Sequence, residues 1–292
     1  KLFYLEKGRL RELADLGELN MGDSANLKGF LENIMPQFPA KRYGLIFGDH
    51  GDGWNGIVGD ESHGGDNLNA KELPAVLKEI TAQTGKIELI GFDACLMANF
   101  ETAQAIAPYG KAMVASEELE PGNGWSYTPI MQALTATPTM DGFALGKTVV
   151  NTYRDYYLGA DQGGRDKTVT LSVIDLSKIP AVEAAANNLA LSNVSFLQAS
   201  QREAFLRTAR ARKATEEFGA GEDGQEGSHF YDLAQYAENL KRQQPSVTPA
   251  ADQLISAVKA AVPYKIAGEA HSRSHGLSIY FPPNANTLAA PK

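Results

Sequence analysis

His50 and Cys95 have the residue types and the setting that nucleophilic chemistry needs. His50 follows the apolar run Tyr43–Gly48, and Cys95, the only cysteine, follows the apolar run that starts at Ile87. Both runs indicate buried strands of a parallel sheet, whose carboxyl ends meet at one edge. Alone, a histidine is usually solvated and a free cysteine is usually an inert buried hydrophobe. Together at one sheet edge, they are typical of a thiol nucleophile and its proton partner.

The order of the two residues distinguishes between types of cysteine chemistry. Caspases carry their histidine about 50 residues before the cysteine, whereas papain-like enzymes carry it far downstream. His50 precedes Cys95 at nearly the caspase spacing. The order therefore favours a caspase-type site over a papain-type site.

Blocks of sequence around these residues resemble the clostripain family of bacterial cysteine endopeptidases, which belongs to the caspase, gingipain and legumain clan. The blocks around the histidine and the cysteine, Pro39–Gly51 and Phe92–Ala98, are the specific ones. Supporting blocks occur in the order found in the family: Leu16–Asp23, Glu120–Tyr127, Thr170–Asp175, Tyr231–Leu233 and Gly276–Pro282. The resemblance therefore spans most of the chain.

Strands alternate with helices over residues 1–175, which is typical of a mostly parallel sheet with helices on both faces. The resemblance implies the same fold class, an α/β, caspase-like three-layer sandwich. We expect a single peptidase domain over residues 1–292. Its sheet core would occupy about 1–175, and a helical extension with a C-terminal strand would occupy about 176–292.

The resemblance also implies a reaction and the residues that perform it. Cys95 would attack the scissile carbonyl to form an acyl-enzyme, and His50 would protonate the leaving amine and later activate water. The backbone N–H groups of Gly51 and Cys95 would stabilise the tetrahedral oxyanion. A glycine at position 51 suits this role, because no side chain blocks the approach of a substrate.

Asp93 is the predicted selector of the substrate side chain. Residues two apart in a strand share a face, so the Asp93 carboxylate can point into the same cleft as the Cys95 thiol. A carboxylate binds a guanidinium in a bidentate manner, and more strongly than it binds an ammonium. Clostripain-like enzymes cleave after arginine, and some also after lysine, so the resemblance implies a preference for basic residues. The alternative is that Asp93 caps the following helix or braces a loop.

Four further residues are predicted to bind the substrate. Ser116 and Glu117 follow the predicted strand Lys111–Ala115 and would reach the same sheet edge as the thiol. Asn123 stands in a loop where, by resemblance, related enzymes can carry an acid. Trp125, near the end of that loop, would wall the pocket, although half-buried packing is the commoner role of such an aromatic residue.

The loop between the two specific blocks is polar and rich in glycine. Its acidic residues Asp60, Glu61 and Asp66 are candidates for calcium, because hard cations bind several oxygen atoms. They lack the EF-hand pattern, and a charged loop is more often simply solvated. We therefore predict no metal and no cofactor, with calcium as the alternative.

Members of this family often cut themselves after a basic residue in the loop that follows the histidine block. Here no lysine or arginine lies between His50 and Lys71, so the resemblance does not extend to this step. If the chain processes itself, we expect the cut at the basic edge Arg210–Lys213, which precedes the glycine-rich segment Gly219–Gly227.

Composition limits the classes of partner. The formal net charge of −8 argues against a nucleic-acid binder and agrees with basic protein or peptide substrates. No apolar run of about 20 residues is present to span a membrane. A single cysteine excludes an intrachain disulfide. We expect a monomer, and the resemblance implies an extracellular or periplasmic location in a bacterium.

Two other classes of function stay open on the sequence alone. One is a caspase-fold relative that is inactive or not activated and acts as a binding module. The other is an acyl hydrolase that acts on non-peptide substrates, because a fold does not determine a function.

Overall fold

The computed structural model describes residues 1–6, 8–159, 166–219 and 228–283, with the backbone alone described at 195–199. The elements are, in chain order, β1 (Leu2–Glu6), β2 (Arg9–Ala14), α1 (Ser24–Gln37), β3 (Gly44–Gly48), β4 (Ile57–Asp60), β5 (Asp66–Leu68), α2 (Glu72–Thr84), β6 (Ile87–Asp93), α3 (Phe100–Ile106), β7 (Gly110–Ala115), α4 (Tyr127–Ala136), α5 (Gly142–Leu158), β8 (Thr170–Asp175), α6 (Ile179–Ala199), α7 (Gln201–Lys213), β9 (Glu217–Phe218), β10 (Phe230–Asp232), α8 (Leu233–Gln243), α9 (Thr248–Ala261), β11 (Tyr264–Ala267) and β12 (Ser278–Tyr280).

Five strands form the central sheet, in the order β11-β8-β7-β6-β3. β3, β6 and β7 run parallel, whereas β8 is antiparallel to β7 and β11 is antiparallel to β8. The α/β class is confirmed, but the sheet is mixed, and the parallel arrangement holds for the three strands nearest the candidate site. The connection from β7 to β8 contains two helices, α4 and α5. They return the chain to the end of the sheet at which β7 finishes, so β8 begins there and runs in the opposite direction.

Helices cover both faces of this sheet, because its central strands are apolar on both sides. On β6, Leu89 packs in one cluster with Val149 and Tyr153 of α5. The next residue, Ile90, points to the opposite face and packs in a cluster that includes Leu77 of α2. The predicted three-layer sandwich is therefore confirmed.

The chain beyond residue 176 adds helices to one of these layers and the strand β11 to the central sheet. Apolar residues of α6, α8 and α9 belong to the same core cluster as those of β6 and α2. A small sheet, in the order β12-β10-β9, joins the segment after β6 through a bridge between Asn99 and Ser278. This attachment brings the small sheet to the end of β6 that carries Cys95. The division of one domain near residue 176 stays a prediction.

Two helices begin at signals that are visible in the sequence. Asp23 caps α1 by accepting a hydrogen bond from the Ala25 N–H at 2.8 Å. In front of α2, the Asn69 N–H donates to the Glu72 carboxylate and the Glu72 N–H donates to the Asn69 side chain, both at 3.3 Å. These reciprocal hydrogen bonds have the pattern of a capping box, which the spacing of Asn69 and Glu72 in the sequence indicates.

The basic segment Arg210–Lys213 is the last turn of α7. The guanidinium of Arg212 lies over the rings of Tyr231 and Phe281, 5.5 and 5.9 Å from their centroids. A protease cleft binds an extended chain, so cleavage at this position requires the end of the helix to unwind. The cut stays a prediction, since residues 220–227 of the adjoining segment lie outside the described residues.

Candidate active site

The parallel pairing of β3 with β6 sets the positions of the two candidate catalytic residues. Gly48 lies opposite Asp93 in the register, and the Asp49 N–H donates to the Asp93 carbonyl at 3.4 Å. His50 and Cys95 each lie two residues beyond this last pair, on neighbouring strands. The structure therefore brings together the carboxyl ends of β3 and β6, as the sequence predicted.

Gly51 makes the close contact between these two strand ends. A Cβ at this position would lie 2.3 Å from the Cys95 carbonyl oxygen and 3.1 Å from the Cys95 nitrogen. Gly51 also forms a bridge with Ile57, in which the flanking Asp52 and Val58 N–H groups carry the hydrogen bonds. Within the described part of the chain, neither the Gly51 N–H nor the Cys95 N–H has an acceptor. Both groups are therefore free to bind a developing oxyanion.

The Cys95 thiol is half-buried and contacts the backbone of Glu120. Its sulfur accepts a hydrogen bond from the Glu120 N–H at 3.2 Å. The next residue, Leu96, has a left-handed backbone with φ of 64°, which costs a non-glycine residue about 1 kcal/mol. Its side chain packs in a cluster with Phe218 and Phe230. The small C-terminal sheet therefore holds the turn that presents the thiol.

The imidazole of His50 is exposed and accepts or donates no hydrogen bond among the described residues. Its two acidic neighbours bind elsewhere. Asp49 accepts the His50 backbone N–H at 2.5 Å, and Asp52 accepts the Asn55 side-chain amide at 2.6 Å. No third residue in the described part of the chain restrains the ring by a hydrogen bond, which leaves it free to turn toward a substrate at the carboxyl ends of the strands.

The Asp93 carboxylate is half-buried and is held by the loop that precedes α4. It accepts the Trp125 backbone N–H at 3.1 and 3.2 Å and the Tyr127 hydroxyl at 2.8 Å. Gly124, with φ of 59°, lets the loop come close, because a Cβ there would lie 2.8 Å from the carboxylate. Asn99 caps the helix after the cysteine, so the helix-cap alternative for Asp93 is wrong. Asp93 therefore braces this loop from a position two residues before Cys95 in the chain.

Ser116 and Glu117, predicted to bind the substrate, are fully buried. The Ser116 hydroxyl lies 2.9 Å from the Thr170 hydroxyl, and the Glu117 carboxylate accepts the Gly276 N–H at 2.9 Å. Burial, and then the nearby charge of Asp232, raises the pKa of Glu117 well above its usual range. These side chains join β7 to β8 and to the C-terminal segment. A substrate at the sheet edge does not reach them in this conformation, which corrects the prediction.

The two predicted loop residues differ in exposure. Asn123 is exposed on the loop before α4. Trp125 is 3% exposed, packs beside Gly91 of β6, and donates its indole N–H to the Glu120 carboxylate at 3.0 Å. Its ring therefore lies beneath the site and does not form a wall of the pocket. Trp125 therefore has the commoner role of such an aromatic residue, which is packing.

A comparison with models of known protein families identifies the family of this chain. The model of the clostripain family, Peptidase_C11, matches residues 6–290. The chain belongs to the clostripain family. It is 30% identical over 210 residues to clostripain from Hathewaya histolytica, an alignment that covers 60% of this chain. The alignment covers 39% of that relative, so this chain spans well under half of the longer protein.

Solved structures of C11 proteases share the clostripain-family fold seen here. A secreted C11 cysteine protease from Bacteroides thetaiotaomicron, in complex with an irreversible peptide inhibitor, superposes with a TM-score of 0.70 at 19% identity, covering 97% of this chain and 79% of that one. An inactive zymogen C11 protease from Parabacteroides distasonis superposes with a TM-score of 0.69 at 20% identity, covering 98% and 78%. At these identities the likeness is one of fold.

The calcium candidates of this clostripain-family chain do not come together. The described ligand-type groups that lie within 4.8 Å of one another are those of Glu18, Asp60 and His63. Glu61 and Asp66 are not among them. The Ser62 hydroxyl, and then a backbone N–H, hydrogen-bonds Asp60 and holds its pKa well below its usual range. Calcium needs about six to eight oxygen ligands, and these residues do not supply them.

Sequence reasoning missed a buried network of acids and an imidazole beneath the thiol turn. The Glu118 carbonyl accepts the Leu96 N–H at 3.2 Å, and its carboxylate accepts the Gly219 N–H at 2.9 Å. His271 lies 3.2 Å from Glu118 and 2.5 Å from Glu216. Burial lowers the pKa of His271, but these two carboxylates outweigh that effect and raise it to about 9. No local pattern connects residues so far apart in the chain.

We expect His271 to make stability depend on pH. Its pKa rises from 6.5 to about 9 on folding, so its contribution is complete below about pH 6.5 and disappears as the pH rises through 9. After a discount for solvent screening of the partly exposed ring, a shift of this size corresponds to about 1–2 kcal/mol in the free energy of unfolding. Urea unfolding of the native protein and His271→Gln at about pH 6 and about pH 10 measures it. An equal difference between the two proteins at both pH values would contradict the prediction.

Proposed function

We propose that this chain is a cysteine endopeptidase that cleaves peptide bonds after arginine, and less strongly after lysine. Cys95 is the nucleophile and His50 is the acid and base. The observation that carries the proposal is the contact of Gly51 with the Cys95 backbone, which sets the histidine loop against the cysteine turn. This contact lies at the carboxyl end of two parallel strands, where open α/β sheets bind their ligands.

The proposed reaction has two halves. The Cys95 sulfur attacks the scissile carbonyl carbon, and the thiol proton passes to His50. The unpaired N–H groups of Gly51 and Cys95 stabilise the oxyanion. His50 then protonates the leaving amine, which breaks the peptide bond and leaves a thioester. In the second half, His50 takes a proton from water, and the water attacks the thioester to release the new carboxyl group and the thiol.

Asp93 supports the proposed preference for basic residues. Its carboxylate lies two residues before the thiol and is oriented by the Trp125 N–H and the Tyr127 hydroxyl. Neutral donors of this kind leave the negative charge uncompensated, and a guanidinium can supply the missing cation. The fork of an arginine matches a carboxylate in a bidentate manner, whereas a lysine offers a single point charge. Arginine is therefore the preferred residue.

We further propose that the protein acts as a monomer on peptides or proteins outside the cytoplasm. A secreted C11 protease among its structural neighbours supports this location. Of the helices that the structure describes, none has the length and apolar character needed to cross a bilayer. Light scattering coupled to size-exclusion chromatography tests the monomer.

Fluorogenic peptides that differ only in the residue before the reporter test the function. The panel contains arginine, lysine, norleucine and aspartate at that position. Alkylation with iodoacetamide is the control, since Cys95 is the only cysteine. Cleavage after the two basic residues that alkylation abolishes would support the proposal. Hydrolysis of simple esters alone would favour a non-peptide acyl hydrolase, and no turnover of either kind would favour a binding module.

We expect Gly51→Ala to lower kcat/KM by about 100-fold or more, because the added methyl group clashes with the Cys95 backbone and displaces an oxyanion donor. Gly59→Ala is the matched control, since a Cβ at Gly59 meets no atom within 4 Å. The measurement is kcat/KM of both variants on the arginine peptide, with circular dichroism to verify folding. Equal activities would contradict the role of this contact.

A further inference from the structure

Aromatic side chains line one side of the Cys95 turn. Trp54, in the loop after His50, and Tyr280 of β12 have their ring centroids 5.3 Å apart. The ring of Tyr280 also lies 5.4 Å from that of the buried Phe230. Trp54, Tyr280 and Cys95 are each half-buried, and all three pack against the apolar cluster that contains Phe230. Trp54 and Tyr280 therefore form an aromatic platform beside the candidate nucleophile.

Gly53 fixes this platform relative to the loop that carries His50. Its φ of 59° lies in the left-handed region that favours glycine, and a Cβ there would lie 2.1 Å from the ring of Phe230. The loop therefore rests directly on β10 of the small sheet. The next residue, Trp54, meets Tyr280 across this contact.

The aromatic platform and Asp93 lie on opposite sides of the thiol turn. The Asp93 carboxylate is bound by Trp125, whose ring packs in the cluster on the α5 face of the central sheet. Tyr280 belongs to the small sheet, and Leu277, at the start of β12, packs in the cluster on the opposite face. Successive side chains of an extended peptide point in opposite directions. A substrate whose arginine points toward Asp93 therefore points the adjacent side chains toward the platform.

The position of His50 determines which adjacent side chain meets the platform. In the proposed reaction His50 protonates the leaving amine, so the leaving chain lies on the side of the histidine loop. Trp54 belongs to this loop, four residues after His50. The first residue of the leaving chain is the one that follows the scissile bond. Its side chain is therefore the one placed against Trp54 and Tyr280.

We propose that Trp54 and Tyr280 form a subsite for a large apolar or aromatic side chain immediately after the scissile bond. Such a side chain covers the two half-buried rings and removes apolar surface from water, and an aromatic one adds ring contacts. A methyl side chain is too short to cover them. This inference rests on the proposed endopeptidase function and adds a preference on the leaving side of the bond.

Acyl transfer to added amines tests this subsite. An arginine ethyl ester acylates Cys95 and releases ethanol, and an amino-acid amide then competes with water for the thioester. The amine nitrogen bonds to the carbonyl carbon as the C–S bond breaks, and its proton passes through His50 to the sulfur. Chromatography measures the ratio of transfer product to hydrolysis product. Both products come from one acyl-enzyme, so a change in the rate at which Cys95 is acylated leaves the ratio unchanged.

We expect phenylalaninamide to give about tenfold more transfer than alaninamide at equal concentration in the native protein. Trp54→Ala should reduce this preference to about twofold or less, and Trp54→Phe should restore part of it, because a smaller ring still covers part of the side chain. Phe205→Ala is the matched control, since Phe205 is 65% exposed on α7 and is not part of the platform. It should keep the preference of the native protein.

The outcomes separate the subsite from the proposed function. Equal transfer to both amides by the native protein would overturn the subsite, and this comparison needs no variant that has to fold. A preference that persists in both Trp54→Ala and Tyr280→Ala would also overturn it. So would a preference for phenylalanine before the arginine of a dipeptide ester that Trp54→Ala removes, because the platform would then contact the acyl side. Absence of ester hydrolysis when no amine is added would contradict the proposed function itself.

Discussion

Cys95→Ala is expected to abolish peptide hydrolysis, with kcat lowered on the order of a million-fold. The variant has no sulfur to form the acyl-enzyme, so only the oxyanion donors and substrate binding remain to assist an attack by water. His50→Ala should lose about a thousand-fold or more, because the leaving amine then departs without a positioned acid. The measurement is kcat on the arginine peptide for the native protein and both variants.

Cys95→Ser is the matched control for this result. Its hydroxyl can accept the Glu120 N–H that the thiol now binds at 3.2 Å, so the turn keeps its hydrogen bond. A serine hydroxyl is a far weaker nucleophile than a cysteine at neutral pH. Cys95→Ser should therefore unfold at the same urea concentration as the native protein and be inactive. Native-like turnover by either Cys95 variant would place the nucleophile elsewhere.

Asp93→Asn is expected to lower kcat/KM for the arginine peptide by about 100-fold or more, and to leave the norleucine peptide within about threefold. An amide keeps an acceptor for the loop but has no charge for the guanidinium. The arginine peptide loses a charged, bidentate partner, whereas the norleucine peptide loses nothing specific. The measurement is the ratio of kcat/KM between the two peptides, in the native protein and in the variant.

Asp52→Asn separates this pocket effect from the overall charge of the molecule. It removes one negative charge from the exposed turn after His50. Among the described side chains, the Asp52 carboxylate binds only the Asn55 amide, at 2.6 Å. General attraction of a basic substrate should change little, since exposed charges are screened by salt. An equal loss in Asp52→Asn and Asp93→Asn would show that charge at a distance selects the substrate.

The location of the candidate site was predictable because it follows from strand ends. Apolar runs before His50 and Cys95 indicate strands that pair in parallel, which brings their carboxyl ends together. The prediction that both strands are buried holds for β6 but is wrong for β3, which lies at the edge of the sheet and buries only Phe47. The parallel pairing of Gly48 with Asp93 places the carboxyl ends of the two strands side by side. The start of a helix, such as the N-cap Asp23, is equally predictable from sequence, because a cap depends on residues within one turn.

The direction of side chains at the sheet edge was not predictable in the same way. Ser116 and Glu117 follow a strand just as Cys95 does, yet they are buried against β8 and the C-terminal segment. β8 runs antiparallel because the preceding connection contains two helices, and no local pattern determines how such a connection returns. The orientation of these residues depends on that distant packing.

The sequence by itself determined the class of fold, the strands that precede His50 and Cys95, and the carboxylate at Asp93. These features depend on local propensity and on the two-residue period of strands, which are written in neighbouring residues. Tertiary structure alone decided that Trp125 is buried and that its indole binds Glu120 beside Asp93. The Trp125 backbone N–H also binds Asp93, 32 residues earlier in the chain, and such a hydrogen bond forms only when packing closes the loop. The position of the Glu120 loop beside the thiol is therefore a product of tertiary structure.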